Sequence, residues 1–271
     1  MMSKPYPEGP HYLDQCLKNG KTMRWPERTM PIAVYIAPFR WYEQDKQGQA
    51  DMYRTLVLKT LDTWSKLTHG AVRFTLVPEL LQSQMNLKWR RVDRKSLGHC
   101  EYSFSDEGVI YSAEISIGIS DGVIHAQYND TNEVYHTLLH EFGHAIGLVG
   151  HSQTPGDIMY VPHEYGVTDL SVQDVTTAQL LYRLPMGFDF VSKGKTLGLK
   201  APFTLDDVVD VMAGRLPRSQ QQAVIAPELV GPPILEAPEV LHQERAILGE
   251  LGRYHMMNSQ IRVKRQSPPK G

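Results

Sequence analysis

The chain has 271 residues, 41% of them apolar, and its 28 lysines and arginines nearly balance its 30 aspartates and glutamates, for a formal net charge of −2. This balance excludes the strongly basic surface of a nucleic-acid-binding protein, and no stretch approaches the roughly 18 apolar residues of a membrane span. Two cysteines, Cys16 and Cys100, exclude a disulfide scaffold and a site built from several thiolates, although they leave one disulfide open. We therefore expect partners that are neither nucleic acids nor membranes.

Apolar periodicity predicts a series of strands and helices that follows a polar, turn-rich arm over residues 1–23. Four segments have the pattern of strands: residues 31–37, 72–77, 85–90 and 109–120. Three longer segments repeat apolar residues at spacings of three and four, which is typical of helices: residues 49–67, 132–148 and 171–183. Beyond residue 186 the composition changes to a partly helical extension with a Gln- and Pro-rich linker, over residues 187–271. The mixture of strands and helices predicts one α+β domain over residues 24–186, between the arm and the extension.

The segment from His140 to His151, HEFGHAIGLVGH, carries the strongest chemical signal in the chain. At 100° per residue, His140 and His144 lie about 40° apart on one face of a helix, so their two imidazoles can bind one metal ion. Glu141 follows His140 directly, where its carboxylate can reach a water on that ion without becoming a ligand. Gly147 can reverse the chain and bring His151 to the same ion as a third ligand.

Three other side chains compete for a place at this site. His136 lies one turn earlier on the same helix face, where we expect packing or a hydrogen bond rather than ligation. Asp157 and His163 are the alternatives to His151 as the third ligand. The simplest alternative to a metal site is a helix that carries two ordinary surface histidines.

The segment resembles the signature of the metzincin metallopeptidases, H-E-x-x-H-x-x-G-x-x-H followed by a methionine turn. The sequence DIMY over residues 157–160 follows His151 and resembles that turn, and residues 131–183 as a whole resemble the matrixins. One departure is that His151 follows His144 by seven residues instead of the six in the signature. Gly150 makes the extra residue easy to accommodate.

The resemblance implies a metzincin-like α+β fold, with a twisted, mainly mixed β-sheet, three helices and a zinc site in a cleft under the edge strand. It implies a zinc-dependent endopeptidase in which His140, His144 and His151 bind Zn²⁺ and Glu141 acts as the general base. Met159 is then the methionine that lies under the metal.

The resemblance also implies that an extended substrate pairs with the edge strand of the sheet. The strand that contains Ala113, Ile115 and Ile117 is the best match for that edge strand. The wall of the main specificity pocket corresponds to the segment from Val161 to Tyr165. Protein or peptide substrates are accordingly the expected partners, and we expect a monomer.

Alternatives to this interpretation remain open. A catalytically silent zinc protein that binds peptides is the main one, and Glu141 argues against it because a silent site has no need for that carboxylate. A hydrolase that acts on a bond other than a peptide bond is another. Calcium is a possible second ion, but no calcium-loop motif supports it.

Two further expectations concern latency and location. The residues around Cys16 are unlike those around the matrixin prosegment cysteine, so we expect no latency role for its thiol. The first ten residues lack the apolar segment of a signal peptide, whereas the family resemblance favours an extracellular location.

Overall fold

The described strands form one mixed sheet of five. The computed structural model describes residues 5–39, 48–92, 96–120 and 130–225. The strands are β1 (Ile32–Ile36), β2 (Phe74–Leu76), β3 (Met85–Arg91), β4 (Gly98–Phe104) and β5 (Ile110–Ile119). Their order across the sheet is β2-β1-β3-β5-β4, with β4 antiparallel to β5 and the other neighbouring pairs parallel. The α+β class with a mixed sheet is therefore confirmed.

Three helices lie where the sequence predicts them, with small differences at their ends: α1 (Gln49–Leu67), α2 (Thr131–Ala145) and α3 (Val172–Arg183). Three shorter helices follow within the predicted extension: α4 (Phe190–Thr196), α5 (Leu205–Met212) and α6 (Arg218–Ile225). The side chain of Asp130 caps α2 by accepting two backbone N–H groups, each at 2.9 Å. Ser171 and Asp174 form a capping box at the start of α3. None of the described helices combines the length and the apolar character needed to cross a membrane.

Helix α2 is buried on most of its surface, because it packs against α1, β4 and β5. Trp64 of α1 donates from its indole nitrogen to the carbonyl oxygen of Leu139 at 3.2 Å. Trp25, just before β1, donates in the same way to the carbonyl oxygen of Ala145 at 2.8 Å. Both tryptophans are fully buried, and these hydrogen bonds satisfy their indole N–H groups. The same two bonds hold α2 in position.

Strand β4 lies at the edge of the described sheet, which corrects the expectation that the strand with Ala113, Ile115 and Ile117 is the edge. Those three side chains belong to β5 and are at most 1% exposed, because β5 is enclosed between β3 and β4 and also contacts α2. Sequence reasoning missed β4 because its residues alternate between half-buried and exposed positions and include His99 and Glu101. It lacks the series of alternating isoleucines that marks β5. The main-chain edge of the sheet beside α2 therefore belongs to β4.

The arm and the first part of the extension belong to one compact unit, which spans Met1–Val224 and runs past the boundary predicted at residue 186. The backbone N–H of Thr22 donates to the carbonyl oxygen of Phe188 at 3.1 Å, and the Thr22 hydroxyl accepts from the N–H of Phe188 at 3.0 Å. Residues 226–271 of the predicted extension lie outside the described residues.

We expect a chain that ends at residue 186 to unfold at a lower temperature than a chain that ends at residue 225. The shorter chain lacks Phe188, Leu205 and Val208, which are at most 6% exposed. Buried side chains of this size contribute about 1.5–3 kcal/mol each, and 1 kcal/mol shifts the midpoint by roughly 2–4 °C in a chain of this size. Circular dichroism during heating measures both midpoints, and a difference of at least about 5 °C is expected. Equal midpoints would mean that the segment after residue 186 does not stabilise the unit.

Candidate metal centre

Three histidines bring their side-chain nitrogens together at the end of α2. One ligand nitrogen from each of His140, His144 and His151 lies within 4.8 Å of the other two. The ring centroids lie 4.8 Å apart for His140 and His144 and 5.4 Å apart for His140 and His151. They lie 4.9 Å apart for His144 and His151. The chain returns after α2 through Gly147, whose φ of 116° favours glycine and where a side chain would lie 2.4 Å from the carbonyl oxygen of Met23. One metal ion can therefore sit among two ligands from a helix face and one from a loop.

Hydrogen bonds from the second ring nitrogen fix two of these rings. The Nδ1–H of His140 donates to the carbonyl oxygen of Ile158 at 2.7 Å, and that of His144 donates to the carbonyl oxygen of Leu148 at 2.6 Å. Each ring thus carries its proton on Nδ1 and leaves Nε2 free of a proton for a metal. Burial lowers the pKa of His140 to about 3 and that of His144 to about 4, and it also lowers the pKa of His151. The rings are therefore neutral at neutral pH, which is the state in which imidazole binds a metal.

The carboxylate of Glu141 lies between the ligand-bearing helix and the start of β4. Glu141 is 7% exposed, and a side chain placed on Gly98 would lie 2.5 Å from its Oε1. Burial raises the pKa of Glu141 to about 8, against the opposing effect of the positive charge on Arg90. A cation held by the histidines would favour the carboxylate and lower this pKa again. The edge strand thus begins with a glycine that leaves room for the carboxylate of the residue that follows His140 in the chain.

Met159 lies against α2 beside the two helical ligands. Its side chain is fully buried, and a side chain placed on Gly143 would lie 2.5 Å from its sulfur. A hydrogen bond of 3.1 Å from the N–H of Tyr160 to the carbonyl oxygen of Asp157 closes the turn. Gly143 lies between the two histidines on the helix, so the sulfur packs against the helical turn that carries both of them. That Met159 lies under the metal, as the resemblance implies, stays a prediction.

The buried carboxylate of Asp174 holds the methionine turn in place. Its Oδ2 accepts from the N–H of Ile158 at 2.8 Å, and its Oδ1 accepts from the N–H of Met159 at 3.4 Å and from the hydroxyl of Tyr12 at 2.6 Å. Burial raises the pKa of this carboxyl group, and the hydrogen bonds oppose that shift because they favour the charged form. In the sequence Asp174 has the pattern of a helix cap only, so its contacts with the turn were missed.

The alternative ligands have other partners. Asp157 accepts a hydrogen bond from a serine hydroxyl, and His163 contacts the carboxylate of Glu133. His136 donates from Nδ1 to the carbonyl oxygen of Val167 at 2.7 Å, the hydrogen-bonding role expected of it. In the part of the chain that the structure describes, none of these three joins the group of ligand atoms within 4.8 Å of one another.

The N-terminal arm supports the loop that carries His151. Gly150 packs so closely against the arm that a side chain there would lie 1.8 Å from the carbonyl oxygen of Gln15. Cys16 is fully buried at the same place, and burial raises the pKa of its thiol to about 12. Both Cys16 and Cys100 are free thiols. Cys16 therefore packs behind the ligand loop as a neutral side chain.

The mixed sheet and the histidine site together match one family of known proteins. The peptidase family model described as matrixin matches residues 37–183, more than half of the chain. The chain belongs to the matrixin family. A comparison with curated proteins gives no match. Membership in this peptidase family accounts for both the ligand helix and the methionine turn of this matrixin.

Sequence reasoning missed two supports of the metal centre in this matrixin. One is the contact of Asp174 with the methionine turn, and the other is the contact of the arm with Gly150. The extra residue before His151 was the available signal for the second contact, since an inserted glycine often marks a close approach of two backbones.

We expect Gly150→Ala to weaken metal binding, because the added methyl group would overlap the carbonyl oxygen of Gln15 and displace the loop before His151. The affinity for a divalent metal ion should fall at least about 10-fold, the scale typical of residues that orient a ligand. A metal titration of metal-free protein measures it. Gln15→Ala is the matched control, since it removes an exposed side chain and keeps the contacting carbonyl group. Equal affinities for Gly150→Ala and wild type would mean that the arm does not support the ligand.

Proposed function

We propose that this matrixin is a zinc-dependent endopeptidase that hydrolyses peptide bonds in extended protein or peptide substrates. The observation that carries the proposal is the convergence of three neutral imidazoles, one of which lines the same cavity as the buried Glu141. The family match supports peptidase chemistry. The two features together fit a reaction in which a water attacks a carbonyl carbon.

The ligand set fits zinc. The group consists of three neutral imidazoles, without a thiolate or a carboxylate. Three protein ligands leave the fourth position of a tetrahedral zinc site open, as in catalytic zinc sites. When bound by His140, His144 and His151, zinc would supply a Lewis acid and a water with its pKa lowered to about 7.

Glu141 is positioned to act as the general base. Its side chain lines a cavity together with His140, and the start of β4 covers it at Gly98. As a base, the carboxylate takes a proton from the attacking water, and as an acid it delivers a proton to the leaving amine. The rigid helix holds the carboxylate in one place for both transfers.

Strand β4 is the part of the sheet against which we place the substrate. One side of β4 pairs with β5 from Gly98 to Phe104, and its other side is the edge of the described sheet. Unpaired N–H and C=O groups on such an edge accept an extended peptide as an additional strand. This assignment replaces the β5 residues that the sequence pattern favoured.

The segment after the methionine turn supplies the side wall of the cleft in this proposal. Val161 is 56% exposed and lines the cavity beside His140 and Glu141. Tyr165 is 64% exposed, and its hydroxyl donates to the carboxylate of Asp130 at 2.7 Å. We therefore assign substrate contact to Val161, and we assign to Tyr165 the role of attaching the wall to the start of α2.

We further propose that the enzyme is a monomer that acts outside the cell, without a nucleic-acid or membrane partner. The family match supports the extracellular location. A catalytically silent peptide-binding module with the same zinc site is the other candidate function. The position of Glu141 favours the enzyme, because binding a peptide does not need a buried carboxylate at the metal position.

Glu141→Gln separates the enzyme from the binding module. The amide keeps the size of the side chain but cannot accept the proton, so peptide cleavage should fall by at least ~10²-fold. Zinc content should stay at the wild-type level, because Glu141 is not in the ligand group. Cleavage of a peptide library and zinc content are measured for both proteins at neutral pH. Equal cleavage rates would remove Glu141 from the mechanism.

The ligand assignment predicts about one tight zinc ion per chain. His151→Ala should weaken zinc binding strongly because only two imidazoles remain, whereas His163→Ala should leave the affinity near the wild-type value. Titration of metal-free protein with zinc compares the three proteins. Wild-type affinity for His151→Ala together with a loss for His163→Ala would overturn the assignment.

A further inference from the structure

A groove of about 730 Å³ lies where the N-terminal arm meets the ends of α1 and α3. Residues 5–8 of the arm form one wall, residues in the segment 68–73 after α1 form another, and residues 179–183 at the end of α3 contribute the third. No described residue that lines this groove is one of the three candidate metal ligands or lines the cavity beside Glu141. Its volume falls within the range of roughly 300–1,000 Å³ that is typical of ligand sites. The groove is therefore a second place where a ligand can bind.

Arg183 brings a guanidinium group without an anionic partner to this groove. Its Nε is buried and has no hydrogen-bond partner. The guanidinium carbon lies 5.3 Å from the centre of the Tyr6 ring, a cation–π contact that does not neutralise the charge. Within the described ranges of the chain, no carboxylate forms an ion pair with Arg183. A guanidinium group pairs best with a carboxylate, through two parallel hydrogen bonds, so the fold leaves the preferred partner of Arg183 to be supplied by a ligand.

Arg73 supplies a second guanidinium group, from the segment just before β2. Its Nη1 donates to the carbonyl oxygen of Gly70 at 2.7 Å, which uses one of the five N–H donors of the side chain. Arg73 is exposed, and in the part of the chain that the structure describes it, too, forms no ion pair with a carboxylate. Two arginines from separate segments thus give the groove positive charge and hydrogen-bond donors that the fold does not use.

The other charged or titratable side chains of the groove have partners within the protein. Glu8, the only carboxylate among the described residues that line the groove, pairs with Arg215 at 3.0 Å, and its side chain is 76% exposed. The ring of His69 contacts the side-chain amide of Gln179 at 3.2 Å. Because Glu8 is exposed and already paired, it does not neutralise the two arginines.

Backbone carbonyl groups at the end of α1 would oppose the binding of an anion, but their lone pairs meet donors. The carbonyl oxygens of Leu67 and Gly70 each accept from a side chain of the groove at 2.7 Å. The hydroxyl groups of Thr68 and Tyr182 donate to backbone carbonyl oxygens at 2.7 and 2.8 Å. These contacts leave the two guanidinium groups as the charge that a ligand meets.

We infer that this groove binds an acidic segment of a protein substrate, away from the cleaved bond, through salt bridges from Arg73 and Arg183 to aspartate or glutamate side chains. The inference rests on the proposed endopeptidase function and names a substrate class for it. Pro5, Tyr6 and Pro7 line the groove as well, and this apolar wall suits a peptide segment better than a bare inorganic ion. Such a site holds a substrate at a second point and does not alter the reaction at the metal.

Matched substrates test this inference on the full-length chain. Each contains the same cleavable peptide, a Gly/Ser linker of about 10 or about 20 residues, and an extension with four glutamates or, in the control, four glutamines. For the wild-type enzyme, kcat/KM should be about 3- to 10-fold higher with the glutamate extension, mainly through a lower KM, and the ratio should fall as added salt screens the charges. Fluorescence anisotropy measures the dissociation constants of the labelled extensions alone.

Four variants assign the preference to the groove. Arg73→Gln and Arg183→Gln should each lower the glutamate-over-glutamine ratio by about 2- to 3-fold, and Arg183→Lys, which keeps the charge, should retain part of it. Arg54→Gln is the matched control, because it removes the same charge from an exposed position of α1 roughly 20 Å along the helix from the groove. Its ratio should equal that of the wild type. All four variants should cleave the peptide without an extension at the wild-type rate.

The outcomes separate this inference from the endopeptidase proposal. Equal cleavage and binding of the glutamate and glutamine forms by the wild-type protein, or an equal loss in Arg54→Gln, overturns the inference, and cleavage of the peptide without an extension then leaves the endopeptidase proposal intact. Binding that depends on the arginines but does not change cleavage of either extended substrate also overturns it.

Two further results concern the nature of the ligand. Binding of the glutamate extension that depends on the arginines, without cleavage of any peptide, supports the acidic-peptide site and overturns the endopeptidase proposal. Displacement of the labelled extension by free glutamate at the same concentration of side-chain carboxylate would show a site for small anions and would contradict the inference.

Discussion

The buried carboxylate of Asp174 is the contact on which the geometry of the cleft depends. It caps α3 through the N–H of Ser171, accepts two N–H groups of the methionine turn and accepts the hydroxyl of Tyr12. A buried carboxylate is stable as an anion only where several donors meet it, and here four donors come from three separate segments. The helix, the turn and the arm therefore hold their relative positions through a single charged group.

This arrangement extends to the metal ligands. The same turn presents the carbonyl oxygen of Ile158 to Nδ1 of His140, which sets the tautomer of that ring. It also places the sulfur of Met159 against Gly143, where a larger residue would not fit. The N-terminal arm packs closely against Gly150, the residue just before His151. The ligands thus receive their orientation from parts of the chain that do not bind the metal themselves.

Helix α2 combines two tasks along its length. Its second half carries the metal ligands and Glu141, while its first half holds the segment after the methionine turn. That attachment consists of contacts from Asp130 to Tyr165, from Glu133 to His163 and Gly166, and from His136 to Val167. Because a helix is rigid over this distance, the wall of the cavity and the reacting groups keep a constant separation.

The sequence by itself determined the α+β class, the three main helices, the histidine helix and the methionine turn. These depend on local spacing, since the helical period places His140 and His144 on one face without any tertiary contact. Only the tertiary structure decided that β4, and not β5, lies at the edge of the described sheet, because strand order follows from non-local pairing that alternation does not encode. The same holds for the buried carboxylates. Asp174 meets Tyr12 across 162 positions and Glu133 meets His163 across 30, and no local pattern marks residues whose partners are so distant in the chain.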